Sequence, residues 1–166
     1  MATITISPLC PSEIDELIPL AYRIWLSHYP GIISVEQIHY MLERGYSRQL
    51  ILDELEQGII WLKIMAGTTM VGFASVGPFG EDTMKLHKLY LLQEFHGTGI
   101  GGRALAEVER IVNKFRIGKL LLNVNKYNSK AIKAYQRGGW QIVEEVRVDI
   151  GGGFIMDDFV MTKEIG

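Results

Sequence analysis

The sequence has a single cysteine, Cys10, in 166 residues. That excludes an internal disulfide and any cysteine-rich zinc site, and it suits a reducing compartment. The four histidines show no ligand spacing, so no metal is expected. Excess charge is also scarce. The formal net charge of −2 is too small for a global field that would recruit nucleic acid or a membrane surface. No apolar run approaches the roughly 20 residues of a membrane span, and the first residues lack a basic stretch followed by an apolar one. A cytoplasmic protein is the expectation. With 48% apolar and 22% charged residues the chain is compositionally globular, and its length fits one domain over residues 1–166.

Glycine, by contrast, is abundant: 18 residues, where roughly 7% of a chain is average. Four fall between Gly97 and Gly102, and three form the run Gly151-Gly152-Gly153. Hydrophobic periodicity fills in the elements around them. Thr3–Ser7 alternates as an opening strand. Pro11-Ser12 starts an amphipathic helix whose stripe is Ile14, Leu17, Ile18, Ala21 and Ile24-Trp25. Ser34 with Gln37 has the pattern of a capping box for a second helix through Glu43. Gly58–Met65 and Met70–Val76 form a hairpin about Ala66-Gly67-Thr68-Thr69. Met84–Leu92 is a strand and Gly99–Phe115 a helix stopped at Gly118. Lys119–Val124 is a strand, and Asn128–Arg137 a helix closed by Gly138-Gly139. Trp140–Val148 and Phe154–Thr162 complete a strand pair. The order β-α-α-β-β-β-α-β-α-β-β predicts an α/β (mixed α+β) domain, a mixed sheet with helices on both faces.

Charge is uneven along this order. Arg103 to Arg137 holds nine Lys/Arg against two Asp/Glu, and the rest of the chain holds eight against seventeen. Such a distribution suits a polyanionic ligand beside the basic segment and a cationic one elsewhere, or merely solvated basic helix faces.

The segment from Leu89 to Arg103 joins a strand to a helix. Closely spaced glycines let several backbone N–H groups point into one concavity, and the helix N-terminus adds partial positive charge, as in a phosphate or pyrophosphate cradle. A Walker loop would end in Gly-Lys-Ser/Thr, which Gly101-Gly102-Arg103-Ala104 does not supply. Gly97, Gly99 and Gly102 match the dinucleotide fingerprint G-x-G-x-x-G. However, the next strand ends Leu122-Asn123-Val124-Asn125-Lys126, without the carboxylate that would hold a ribose. A dinucleotide oxidoreductase is therefore disfavoured.

These residues resemble the GNAT superfamily of acyl-CoA-dependent N-acetyltransferases. The family loop Gln/Arg-x-x-Gly-x-Gly/Ala corresponds to His96-Gly97-Thr98-Gly99-Ile100-Gly101, after a strand ending Leu89-Tyr90-Leu91. A second motif follows in order: Leu122-Asn123-Val124, then Asn128 through Tyr135, then Arg137-Gly138-Gly139-Trp140. The early His28-Tyr29-Pro30-Gly31-Ile32-Ile33 and the closing Asp149-to-Met161 piece are similar to the bacterial branch that includes spermidine/spermine-type (polyamine) acetyltransferases.

The resemblance implies a GNAT-like fold with a splayed sheet and acetyl-CoA as cosubstrate. It implies that backbone groups at Leu89, Tyr90 and Leu91 pair with the pantetheine, and that an N–H near Leu91 polarises the thioester carbonyl. His96, Gly97, Thr98, Gly99, Ile100, Gly101 and Gly102 would hold the pyrophosphate. His96 stands where the family has Gln or Arg. Because backbone donors do most of the cradling, binding is expected to survive that change. Asn128 would contact the pantetheine or acetyl arm. Tyr135, two helical turns later, would be the general acid that protonates the departing thiolate. Many relatives carry a base on the strand before the loop, where this chain has Lys85, which leaves His87, Glu94, Asp157 and Asp158 as candidates. Arg103, Lys126, Lys130 and Lys133 could meet CoA phosphates. The expected activity is acetyl transfer to a primary amine, a polyamine or other small cationic amine favoured, by direct attack in a ternary complex. A protein N-terminal or lysine acetyltransferase and a non-catalytic acyl-CoA sensor are the alternatives, and a homodimer stays open.

Overall fold

The computed structural model describes residues 2–166. Seven strands form one sheet in the order β1-β2-β3-β4-β5-β7-β6. They are β1 (Ile4–Pro8), β2 (Ile60–Ala66), β3 (Thr69–Pro78), β4 (Thr83–Leu91), β5 (Lys119–Asn125), β6 (Gln141–Gly151) and β7 (Phe154–Glu164). Only β4 and β5 run parallel; every other neighbouring pair is antiparallel. The helices are α1 (Ile14–His28), α2 (Val35–Gly45), α3 (Arg48–Glu56), α4 (Ile100–Lys114) and α5 (Ser129–Arg137). This is the mixed α/β architecture that the element order implies. No helix among the described residues is long and apolar enough to cross a membrane.

The strand period divides the core in two. Phe73 of β3 faces one side with Trp61, Ile14, Leu17, Trp25, Ile38 and Leu42. Its neighbours Ala74 and Val76 face the other side, with Leu120, Leu122, Val108, Val112 and Trp140. Thus α1–α3 cover one face, and α5 with most of α4 covers the other.

Local chemistry accounts for most boundaries, with instructive departures. Ser34 caps α2, its Oγ accepting the Gln37 N–H at 3.1 Å. The capping box is only half made, because the Gln37 side chain instead donates to the Ile155 carbonyl at 3.0 Å. Helix α4 ends before Gly118: Arg116 takes a left-handed φ of 59°, and Ile117 N–H closes on the Val112 carbonyl at 3.2 Å. Helix α3 is additional to the expected order. Ser47 caps it through the Leu50 N–H, and it buries only Ile51.

The triple glycine has a structural purpose. Gly151, Gly152 and Gly153 all have positive φ and turn β6 into β7 against α2. There Tyr40 donates its hydroxyl to the Ile150 carbonyl at 2.9 Å. A Cβ on Gly151 would lie 2.5 Å from the Tyr40 hydroxyl, and one on Gly152 would lie 2.7 Å from its ring. Only glycine lets the ring lie on this turn, which ties the sheet's far end to α2.

Candidate active site

Strands β4 and β5 pair only from Thr83–Lys119 to Lys85–Leu121. Beyond that they part, and a cavity of about 740 Å³ opens between them. Leu92 donates its N–H to Val71 on the β3 side at 2.9 Å. Strand alternation therefore turns the backbone of Tyr90 toward β3 as well, and the backbones of Leu89 and Leu91 into the gap. A second irregularity lies just upstream. Ser75 pairs with Lys88 but Val76 with Leu86, which leaves His87 as the extra residue of a β-bulge. Bulges re-aim side chains, and Lys85, His87 and Lys88 all line the cavity.

From β4 the chain passes through a single turn, Gln93–Phe95, into the glycine loop. Gly97 and Gly99 have φ of 74° and 85°, a region that costs other residues about 1–2 kcal/mol. Gly101 and Gly102 are helical, and a Cβ on either would meet no protein atom within 4 Å. What they provide is access. Gly99 is the N-cap of α4, with no side-chain cap and no acidic residue in the first turn. The N–H groups of Ile100, Gly101 and Gly102 thus form an anion cradle at the positive end of the helix. Gly97, Gly101 and Gly102 line the cavity. Thr98 instead donates its hydroxyl to the Phe95 carbonyl, and the Ile100 side chain is buried in the core. Thr98, Gly99 and Ile100 lie outside the lining and can offer backbone only.

His96 straps this loop in place. Its Nε2 donates to the Leu91 carbonyl at 2.9 Å, and its Nδ1 accepts from Lys130 Nζ at 3.3 Å. The carbonyl can only accept, which assigns the tautomer. Across the gap, Asn128 is 6% exposed; it holds the N-cap position of α5 without making a side-chain cap. Tyr135 follows two turns later on the same side, its ring 5.6 Å from Trp140. Burial raises the Tyr135 pKa above tyrosine's ordinary value, so the hydroxyl stays protonated. Leu89, Tyr90, Leu91, His96, Asn128 and Tyr135 all border this one cavity. Tyr90 nevertheless commits its hydroxyl to Tyr29, 2.9 Å away. Burial raises both, that of Tyr29 to about 12.

The titratable groups sort themselves clearly. Asp158 of β7, opposite Asn125, is 6% exposed. Its Oδ1 is buried with no hydrogen-bond partner among the described residues. Burial pushes its pKa up, against the pull of Asn123 and Lys85. His87 is exposed toward the cavity; desolvation there, then Lys85 and Lys88, push it down to about 4, so it is neutral at pH 7. Glu94 is on the surface, paired with Arg23 at 3.5 Å. Asp157 pairs with Lys126 at 3.3 Å, and Lys126 also holds Glu145 at 2.6 Å. That network takes both Asp157 and Lys126 out of the site. Arg103 donates to the Ile4 carbonyl at 3.3 Å, and Lys133 is exposed.

Residues 19–140 match the model of the acetyltransferase (GNAT) family. The chain belongs to the GNAT family. It is 29% identical to the spermidine N(1)-acetyltransferase of Thermoplasma acidophilum over 167 positions, covering 98% of each chain. The crystal structure of PaiA N-acetyltransferase from the same organism, in complex with coenzyme A, matches with a TM-score of 0.84 at 29% identity. That match covers 98% of this chain and 99% of the other. A GCN5-related N-acetyltransferase structure from Rhodopseudomonas palustris, 18% identical, shares the fold with a TM-score of 0.81, over 99% of this chain and 98% of its own. As a GNAT member the chain is an acyltransferase with acetyl-CoA as cosubstrate.

Sequence reasoning missed Lys88. A lysine beside a histidine in a strand looks like a solvated edge. The bulge that brings both to the cavity leaves no glycine or proline to signal it.

Proposed function

We propose that this GNAT enzyme transfers the acetyl group of acetyl-CoA to the primary amine of a small molecule, by direct attack in a ternary complex. One observation carries the reading: a single cavity runs from the glycine cradle, past the freed backbone of β4, to a protonated tyrosine and a buried carboxylate with one unpartnered oxygen. In this reading the N–H groups of the Gly97–Gly102 loop hold the pyrophosphate. The Leu89 and Leu91 backbones align the pantetheine, and the Leu91 N–H polarises the acetyl carbonyl. Asn128 positions the arm, and Tyr135 holds the proton that the departing thiolate needs.

Asp158 receives the acceptor ammonium and takes its proton, a role open to it because Oδ1 has no other partner. His87, neutral and lining the same cavity, is the second group able to accept a proton through water. The relative named as a spermidine acetyltransferase supports a polyamine as acceptor. Tyr29, Met41 and Met156 also line the cavity, an apolar wall that suits the carbon chain of a small amine.

The test is thiol release from acetyl-CoA against polyamines, aminoglycosides, amino acids and short peptides, with the acetylated product identified. Stoichiometric CoA and N-acetyl product from a small amine supports the reading. Tight acetyl-CoA binding without thiol release over the panel would make the chain a sensor. Products confined to peptides would make it a protein acetyltransferase.

A further inference from the structure

The acceptor side of the cavity contains a cation that no protein contact neutralises. Lys88 projects from the bulged stretch of β4 into the cavity wall. Its Nζ lies 5.0 Å from the centre of the Tyr46 ring and 5.3 Å from that of Trp61. Gly45 completes the enclosure, since a Cβ there would sit 3.9 Å from Nζ. The acid nearby is Glu54, which is engaged elsewhere: its Oε1 accepts the Trp61 indole N–H at 3.0 Å. Among the described residues Lys88 has no hydrogen bond and no ion pair, only the longer-range field of Glu54, and burial depresses its pKa.

Two aromatic faces compensate a half-buried ammonium only in part. A cation–π contact offsets only part of the cost of withdrawing a charge from water. An ammonium also carries three donors, and the rings leave these without acceptor oxygens. A second lysine deepens the imbalance. Lys85 lines the same cavity, its Nζ 5.4 Å from the Phe79 ring, and Asp158 is the lining's sole carboxylate. The cavity wall around the acceptor thus offers one carboxylate against two ammonium groups, Glu54 acting on Lys88 only from outside the lining. A free polyamine would bring its further ammonium groups against Lys85 and Lys88. An amine that also carries a carboxylate would satisfy both signs.

We propose that Lys88, in its Tyr46–Trp61 enclosure, is the receptor for a carboxylate on the acceptor, so that the acetylated amine belongs to an amino-acid-like molecule. The inference rests on the amine-acetylation reading and replaces the polyamine acceptor with an amino-acid-like one. Lys88 acts here on binding, not on the acyl transfer. Its loss should therefore appear in the acceptor KM and leave acetyl-CoA binding untouched.

The experiment uses the full chain, wild type and with Lys88→Met or Lys88→Arg. Acceptors are a homologous series of ω-amino acids, the matching ω-amino amides, and spermidine. For the best-fitting length, wild type should prefer the acid over its amide by about tenfold or more in kcat/KM, the size of a charge-assisted hydrogen bond. Lys88→Met should bring that ratio close to one through KM, and Lys88→Arg should retain part of it. Binding of butyrate and of butylamine, followed by NMR titration, reads the site without turnover: butyrate should bind wild type and not Lys88→Met. Equal use of acid and amide, or spermidine preferred and improved by Lys88→Met, overturns the proposal. So does butyrate binding that survives Lys88→Met, or loss of acetyl-CoA binding in both variants. If wild type acetylates no amine yet binds butyrate through Lys88, the anion receptor stands and the acetyl-transfer reading falls.

Discussion

Replacing Tyr135 by Phe separates chemistry from binding. The Tyr135 ring packs 5.6 Å from Trp140, tilted by 61°, against the core beneath α4 and α5. Burial and the neighbouring Tyr29 are what shift its pKa, with no hydrogen bond to its hydroxyl contributing. Phenylalanine therefore keeps every ring contact and removes one O–H. Stability should change by no more than about 0.5 kcal/mol, and acetyl-CoA affinity by about twofold or less. Turnover should fall by about 10²–10⁴, the usual contribution of a positioned acid, or about 3–5 kcal/mol of barrier. The direction of the pKa shift adds a second expectation. Raising it moves deprotonation to higher pH, so the wild-type rate should show no alkaline loss from this group below about pH 10. Single-turnover thiol release at saturating acetyl-CoA, with calorimetry for binding, measures both. Wild-type turnover in Tyr135→Phe would refute the acid assignment. So would lost binding with normal turnover per bound complex, which would make Tyr135 a binding residue.

Asp158→Asn should abolish most amine transfer while raising the melting temperature at neutral pH. The carboxylate's folded pKa is raised by burial, so its charged form destabilises the fold; the gain should grow as pH rises from the ordinary carboxylate range to the raised value, level off above it, and vanish below the ordinary range. A variant that is both active and unchanged in stability would contradict the buried-base reading. Gly99→Ala forces alanine to φ 85° and should weaken acetyl-CoA binding by about 5–30-fold, the equivalent of about 1–2 kcal/mol. Gly102→Ala, helical and in open space, should hold or raise the melting temperature yet still weaken binding, because its Cβ meets only the ligand. Gly152→Ala should cost about 1–3 kcal/mol in denaturant unfolding, and a double-mutant cycle with Tyr40→Ala should recover the part due to the ring contact.

Much of the candidate site's placement was legible because its signals are backbone signals. Gly97 and Gly99 are glycine for their φ, and Asn128 and Tyr135 share a side by helical arithmetic. The long elements were equally plain, since α1 and α4 carry strong 3.6-residue stripes. Helix α3 escaped because nine residues with one buried side chain leave no stripe, and its real signal was Ser47 as an N-cap. Strand β7 lying between β5 and β6 is a tertiary choice: β6 is exposed nearly throughout and β7 largely covered, yet both alternate alike. The base could not be assigned because Glu94, Asp157 and Asp158 differ only in partners. Arg23 and Lys126 take the first two, and those pairings exist only in the fold. Segment charge does not locate the acceptor's partners for the same reason, since of all the acidic residues outside Arg103–Arg137 only Asp158 lines the cavity.

What unites the site is that β4 gives up regular pairing in three successive ways: a bulge at His87, an edge freed from β5, and a glycine loop. Freed backbone groups are costly when buried, and the remedy here is selective. The Leu91 carbonyl is recaptured by His96 at 2.9 Å, whereas the Leu91 N–H, turned into the same gap, has no partner on β5. The asymmetry suits the chemistry. An oxygen that gains negative charge needs a donor and would be repelled by an exposed carbonyl. A Gln or Arg in place of His96 could cover the same carbonyl, since each offers an N–H. His96 thus covers the Leu91 carbonyl with one ring nitrogen and holds Lys130 beside the glycine loop with the other.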